Sequence, residues 1–149
     1  MKRIAFAVAV LFVATVLPGV ARADLDRFIK NLNVEAQADI GNYNVKVSQQ
    51  FGVSEVQVKE ISSKVDSPAD AFLCLQVAQM TERKPEEVLR VYQQNRGKGW
   101  GAIAKAMGIK PGSPEFHALK SGNFELTGRP GGGAGQGQGK GKGKGRGRN

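Results

Sequence analysis

Cations at every second residue close this chain and are its clearest chemical pattern. Residues 135–149 read GQGQGKGKGKGRGRN, in which Gly alternates with Lys or Arg from Lys140 onward. An extended backbone rises about 3.3 Å per residue, so these charges recur about every 6–7 Å, which suits a linear polyanion. The predicted polyanion-binding residues are Arg129, Lys140, Lys142, Lys144, Arg146 and Arg148.

No aromatic residue interrupts this basic segment. Base stacking, on which single-strand binders rely, is therefore missing, and the expected binding is weak, indifferent to sequence and sensitive to salt. The candidate partners are anionic envelope polymers, an anionic membrane surface or another protein, and specific nucleic-acid binding is not expected. The alternative is a solubilising tail with no dedicated ligand.

A second, smaller group of cations surrounds the single tryptophan in NRGKGWG. Arg96, Lys98, Trp100 and Lys105 form a secondary candidate site for contact with anions. Trp100 could offer an exposed platform for stacking, but a lone Trp in a small domain more often belongs to the core, and we expect a core role. For the three cations, a solvated helix end is the preferred interpretation, and an anion-contact site of low specificity is the other.

The residue types that usually perform catalysis or bind metals are scarce. His117 is the only histidine and Cys74 the only cysteine, and no CxxC, HxxxH, P-loop or GxSxG pattern occurs. Cys74 lies in the most apolar segment, so we expect a buried thiol, with an intermolecular disulfide as the alternative. Glu86 and Glu87 are adjacent and suit a helix N-terminus better than a catalytic pair. We therefore predict no enzyme activity, cofactor or metal site.

Residues 100–120 also permit a nucleic-acid interpretation. A short helix, a turn at KPGS and a second helix from Pro114 follow one another in the order of a helix-turn-helix motif. The second helix would present Glu115, His117 and Lys120, of which only Lys120 is a permanent cation. Because a DNA-reading helix needs a basic surface, two packed helices are the preferred interpretation, and nucleic-acid binding by this segment plus the tail is the alternative.

The same stretch, GKGWGAIAKAMGIKPGSPEFHALK, resembles a segment shared by a group of small exported bacterial proteins, together with the upstream PADAFLCLQVAQM and RVYQQNRGKGWG. The similarity covers roughly residues 28–122. It implies a helical exported domain, and it carries no catalytic or ligand-binding residues over to this chain.

The first 23 residues have the pattern of a signal peptide. Lys2 and Arg3 precede an apolar run from Ile4 to Leu17, and Ala21-Arg22-Ala23 forms a small-x-small cleavage site. The alternative is a transmembrane anchor, which needs about 20 apolar residues, more than this run provides. We expect cleavage after Ala23, export to the periplasm or the medium, and no membrane span in the mature chain.

The positive charge is concentrated at the two ends. The chain has 22 Lys and Arg against 13 Asp and Glu, with three cations in the predicted signal peptide and six from Arg129 onward. Residues 24–128 therefore carry 13 cations and 13 acids and have no net charge. Hence the basic character does not belong to the central domain.

Apolar spacing and capping residues predict an all-α fold of five to seven short helices over residues 24–128, followed by a disordered Gly/Lys/Arg-rich tail over 129–149. Ser67-Pro68, Lys84-Pro85 and Ser113-Pro114 each have proline at a first helical position. The segment Pro68–Thr81 is apolar almost all round and is predicted to be the central helix.

Two finer predictions concern helix ends. Asn33 is predicted to begin a second helix that runs to Gly52, with a strand at Asn44–Val47 as the alternative. Ser54 and Gln57 have the spacing of a capping box for the following helix.

Overall fold

The computed structural model describes residues 20–132, and side-chain burial from Asp24 onward. Seven helices and no strand occur within this range, so the all-α prediction is confirmed. The helices are α1 (Val20–Ala38), α2 (Ile40–Phe51), α3 (Glu55–Ser62), α4 (Pro68–Thr81), α5 (Pro85–Gln94), α6 (Trp100–Ala106) and α7 (Pro114–Ser121). The predicted signal peptide up to residue 19 and the predicted disordered tail from residue 133 onward lie outside the described residues.

Helix α4 is the centre of the domain, as its composition predicts. Ala69 and every residue from Ala71 to Ala78 are buried, and α1, α2, α3 and α5 all pack against this helix. Phe72 joins three helices, because its ring lies 5.5 Å from Phe28 of α1 and 5.1 Å from Phe51 of α2, both edge-on. A helix surrounded by neighbours has no solvent-facing polar stripe, which explains its sequence.

The prediction that Asn33 caps the second helix is wrong. Asn33 lies inside α1, and α2 is instead capped by Asp39, whose Oδ1 accepts a hydrogen bond from the Asn42 N–H at 3.0 Å. The Asn33 side chain does cap a helix, but a distant one: its Oδ1 accepts from the N–H of Ala69 in the first turn of α4 at 2.9 Å. The strand alternative for 44–47 is also wrong, because these residues belong to α2.

The capping residues of the later helices behave largely as predicted. Ser67 and Ser113 each accept a hydrogen bond from the third residue beyond, and Gly52 and Gly122 end their helices in the left-handed conformation. Only one of the two hydrogen bonds of the capping box predicted at Ser54 and Gln57 is formed. Ser54 Oγ accepts from the Gln57 N–H, but the Gln57 side chain donates to Glu86 of α5 at 3.0 Å instead of returning to Ser54.

A short extended strap follows α7 and crosses the end of α2. Phe124 is buried against Phe28, with ring centroids 5.8 Å apart. The backbone from Glu125 to Gly131 then lies along Gln50, and the Gly131 N–H donates to the Gln50 carbonyl at 3.2 Å. The predicted tail residues 129–132 therefore have a defined turn conformation, in which Gly131 is hydrogen-bonded to α2, and the disorder predicted from Arg129 onward does not begin there.

Candidate functional site

The secondary candidate site does not form a stacking platform. Trp100 begins α6 and is only 5% exposed, so the core role that we predicted for it is confirmed. Its indole N–H donates to Asp70 Oδ1 at 2.8 Å, and its ring packs 5.5 Å from that of Tyr92. The ring is thus enclosed by the domain and offers no exposed aromatic surface to a sugar or a base.

The cations near Trp100 have different surroundings. Arg96 pairs with Asp66 Oδ1 at 3.0 Å and lies 5.9 Å from the centre of the Tyr92 ring. Lys98 reaches Asn95 Oδ1 at 3.5 Å, and Lys105 is exposed at the end of α6. Arg96 therefore has an acidic partner, whereas Lys98 and Lys105 form no ion pair within residues 20–132.

Two carboxylates organise this region instead. Asp66 Oδ2 accepts from the Tyr92 hydroxyl at 2.8 Å, and that hydroxyl accepts from the Asp66 N–H at 3.2 Å. Asp70 Oδ2 accepts from Ser67 Oγ at 2.7 Å, while its other oxygen holds Trp100. Asp70 lies in the first turn of α4, and Asp66 directly precedes Ser67, the N-cap of that helix. Their partners on α5 and α6 could not be found from local spacing.

The predicted polyanion-binding residues divide at the end of the described chain. Arg129 is exposed on the strap, where its N–H donates to Thr127 Oγ1 at 3.1 Å. Lys140, Lys142, Lys144, Arg146 and Arg148 lie outside the described residues.

The side chain that holds the strap is one that sequence reasoning missed. Gln50 is only 2% exposed, and its amide nitrogen donates to the Glu125 carbonyl at 3.0 Å. Its amide oxygen accepts from the Thr127 N–H at 2.8 Å and from the Gly128 N–H at 3.3 Å. A single side chain therefore fixes the point from which the chain continues towards its basic end.

The pair α6 and α7 packs together, but its surface does not resemble a DNA-reading face. On α7, Leu119 is buried, Glu115 and His117 are exposed, and Lys120 lies 6.0 Å from the centre of the Phe116 ring. The opposite side of α7 packs on α1. The exposed surface of α7 thus combines an acid with a histidine, where phosphate binding requires several cations.

The only thiol and the only imidazole are separated by burial. Cys74 is fully buried in α4, whereas His117 is exposed on α7. Burial, with a smaller contribution from the charge of Asp70, raises the pKa of the Cys74 thiol far above its ordinary value of 9.0. The predicted core role of Cys74 is therefore confirmed, and in this fold its sulfur does not reach the surface where a partner chain could bond to it.

The chain matches no protein-family model, no curated protein and no solved structure. The resemblance to small exported bacterial proteins consequently stays a prediction. Within residues 20–132, no three His, Cys, Asp or Glu side chains converge in a way that could hold a metal ion. No helix in the same range is both long and apolar enough to cross a bilayer.

One cleft in the described domain combines apolar and charged walls. It has a volume of about 430 Å³ and lies between the C-terminal ends of α4 and α6 and the first turn of α7. Its lining residues are Met80, Thr81, Arg83, Met107, Gly108, Ile109, Lys110, Ser113 and Glu115. Sequence reasoning did not find this cleft, because its walls come from segments about 30 residues apart that meet only in the folded domain.

Proposed function

We propose that this chain is an exported, non-enzymatic structural or interaction protein, whose basic tail makes weak contacts with anionic polymers of the envelope or matrix. The observation that carries this proposal is the division of charge. Residues 24–128 are neutral, with 13 cations against 13 acids, whereas the segment from Arg129 onward has six cations and no acid. Such blocks of like charge are typical of interaction tails.

The attachment of the strap is consistent with separate roles for the neutral domain and the basic tail. Gln50 holds residues 125–128 against α2, so the cationic segment continues from a defined point on the domain. In this proposal the domain presents the tail, and the tail contributes the electrostatic contact. Repeated point charges on a glycine-rich chain suit many linear polyanions, so we expect selectivity for charge density and not for sequence.

The first experiment measures retention on a heparin resin. We compare the full chain with a chain that ends at Gly132, which keeps the strap and removes five cations. A length-matched control replaces Lys140, Lys142, Lys144, Arg146 and Arg148 with Gln. Both variants should elute at much lower salt than the full chain. Equal elution of all three proteins would refute the role of the tail.

The salt dependence gives a quantitative check on the same proteins. On a single-stranded nucleic acid, each neutralised phosphate contributes a slope of about 0.7 to a plot of the logarithm of the binding constant against the logarithm of the salt concentration. By the same reasoning, five cations contribute a slope of at most about 3.5 on a linear polyanion. The glutamine variant should lose that slope. A slope that is unchanged by the replacement would place the contact outside these five residues.

Export is tested separately by N-terminal sequencing of the protein from the extracellular or periplasmic fraction. We expect Asp24 as the first residue, because cleavage is predicted after Ala23. A protein that remains in the cytoplasm with Met1 intact would contradict the proposed location.

A further inference from the structure

The cleft between α4, α6 and α7 has the size of a small-molecule site, and three apolar side chains line it. Its volume of about 430 Å³ falls within the usual range of about 300–1,000 Å³ for ligand pockets. Apart from Met1, the chain has two methionines, Met80 and Met107, and both line this cleft beside Ile109. Unbranched thioether side chains adapt to apolar groups of differing shape, so this lining suits a flexible hydrocarbon.

The polar wall of the cleft is more positive than negative. Arg83 and Lys110 line it against the single carboxylate of Glu115. Arg83 Nη1 lies 3.4 Å from Glu87 Oε2, which partly occupies that cation. Lys110 is exposed and forms no ion pair within residues 20–132. Lys110 is therefore the cation available to a bound ligand.

The acid that lines the cleft has a structural role in its own helix. Glu115 lies in the first turn of α7, where a negative charge interacts favourably with the helix dipole. Lys110 has no comparable role, since it lies in the turn between α6 and α7. The unmatched charge of the cleft is thus positive, while Met80, Met107 and Ile109 supply its apolar lining.

We propose that this cleft binds an amphipathic organic anion, namely a monocarboxylate with a hydrocarbon body. The hydrocarbon lies on Met80, Met107 and Ile109, and the carboxylate pairs with Lys110. This site belongs to the neutral domain and is independent of the proposed role of the tail. It gives the domain a ligand class of its own, one that includes free fatty acids of moderate length.

The first test uses calorimetric titration of the full chain with decanoate, decanol and decyltrimethylammonium. Decanoate should bind with one site per chain and with the highest affinity of the three. A preference for the cationic amphiphile, or the lack of saturable decanoate binding, would overturn the proposal. The chain that ends at Gly132 should bind decanoate equally well, which separates this result from the test of the tail.

Charge variants test whether the ligand is an anion, because removing a cation and removing an acid should change its affinity in opposite directions. Lys110→Gln should weaken decanoate binding about two- to fivefold, the range for an exposed ion pair. Glu115→Gln should tighten it, because the substitution removes the negative charge from the wall. Lys30→Gln, at an exposed lysine of α1 that does not line the cleft, is the matched control and should leave the affinity unchanged. Equal effects of Lys30→Gln and Lys110→Gln would reduce the binding to general electrostatics and refute the site.

The apolar half of the proposal has its own variants. Met80→Leu preserves the apolar lining and should retain decanoate binding, whereas Met80→Gln should weaken it at nearly the same side-chain length. Bound decanoate should also slow the oxidation of Met80 by hydrogen peroxide, measured by mass spectrometry. Oxidation at the same rate with and without saturating decanoate would place the ligand elsewhere.

Discussion

At the scale of single residues, Asp70 connects parts of the chain that are distant in sequence. One of its oxygens accepts from Ser67 at the start of α4, and the other accepts from the indole of Trp100, 30 residues further on. The same side chain thus contributes to a helix cap and satisfies a buried donor. A buried donor without a partner lowers the stability of the folded state, so this carboxylate should contribute more to the free energy of unfolding than its half-exposed position suggests.

The first prediction follows from this pairing. Asp70→Ala leaves the Trp100 N–H buried without an acceptor and should lower the free energy of unfolding by about 1–3 kcal/mol. Urea unfolding followed by fluorescence reports on it directly, because Trp100 is the only tryptophan. Asp26→Ala, at an exposed position of α1, is the control and should stay within about 0.5 kcal/mol of the unmodified protein. Similar losses in both variants would contradict the role of the buried donor.

The second prediction concerns alkaline pH. Burial raises the pKa values of Cys74 and Tyr43 above their ordinary values of 9.0 and 10.0. The unfolded chain therefore loses these protons first, and the stability they contribute is complete below pH 9 and is lost as the pH rises. Above each ordinary pKa, every such group should lower the free energy of unfolding by about 1.4 kcal/mol per pH unit.

Urea unfolding between pH 8 and pH 11 measures this effect. Cys74→Ala removes the contribution that begins near pH 9, so the difference in stability between this variant and the unmodified protein should shift with pH above that point. A difference that stays constant from pH 8 to pH 11 would be inconsistent with a buried neutral thiol.

At the scale of the elements, the residues at the helix ends determine where most of the helices begin and stop. Helices α2, α4 and α7 all end in a left-handed residue, but α2 and α7 use glycine and α4 uses Glu82 at φ 53°. The two glycines face different surroundings. A Cβ at Gly52 would meet nothing within 4 Å, whereas a Cβ at Gly122 would lie 2.8 Å from Phe28 Cβ and 3.0 Å from the Asp24 carbonyl.

The third prediction compares these two glycines. Gly52→Ala should cost about 1–2 kcal/mol, which is the backbone strain alone. Gly122→Ala carries the same strain and in addition forces α7 away from the first turns of α1, so its loss of stability should be clearly larger. The comparison is made by thermal or urea unfolding, and equal losses would show that the contact between α1 and Gly122 adjusts without cost.

Sequence reasoning predicted most of these elements because their signals are local. Ser67, Ser113 and the prolines that follow them mark helix starts, and α4 lies over 68–81 as its composition predicts. The predictions were wrong where a side chain forms its hydrogen bond with a residue far away in the sequence. Asn33 has the residue type of a cap, but its target is Ala69, and nothing in the spacing around Asn33 reveals this.

At the scale of the whole molecule, the strap makes the last described residues part of the domain. Gln50 satisfies three backbone groups of residues 125–128, and these bonds span 75 to 78 positions in sequence. The folded unit therefore extends beyond residue 128, where the sharp change in composition had placed its end.

The fourth prediction tests this boundary by truncation. A chain that ends at Gly132 should unfold at the same urea concentration as the full chain. A chain that ends at Phe124 loses the hydrogen bonds between Gln50 and the strap and should lose about 1–3 kcal/mol. Gln50→Ala should therefore destabilise the chain ending at Gly132 much more than the chain ending at Phe124. Additive losses would show that Gln50 and the strap act independently.

The sequence by itself determined the helical class, the identity of the central helix, most helix boundaries and the division between a neutral domain and a basic end. These features depend on local spacing, capping chemistry and composition, all of which act over a few residues. Only the tertiary structure decided which donors Asp70 and Gln50 satisfy, where the strap lies and which side chains line the cleft beside Met80 and Lys110. Those arrangements depend on contacts between segments far apart in the chain, and these contacts exist only once the helices pack around α4.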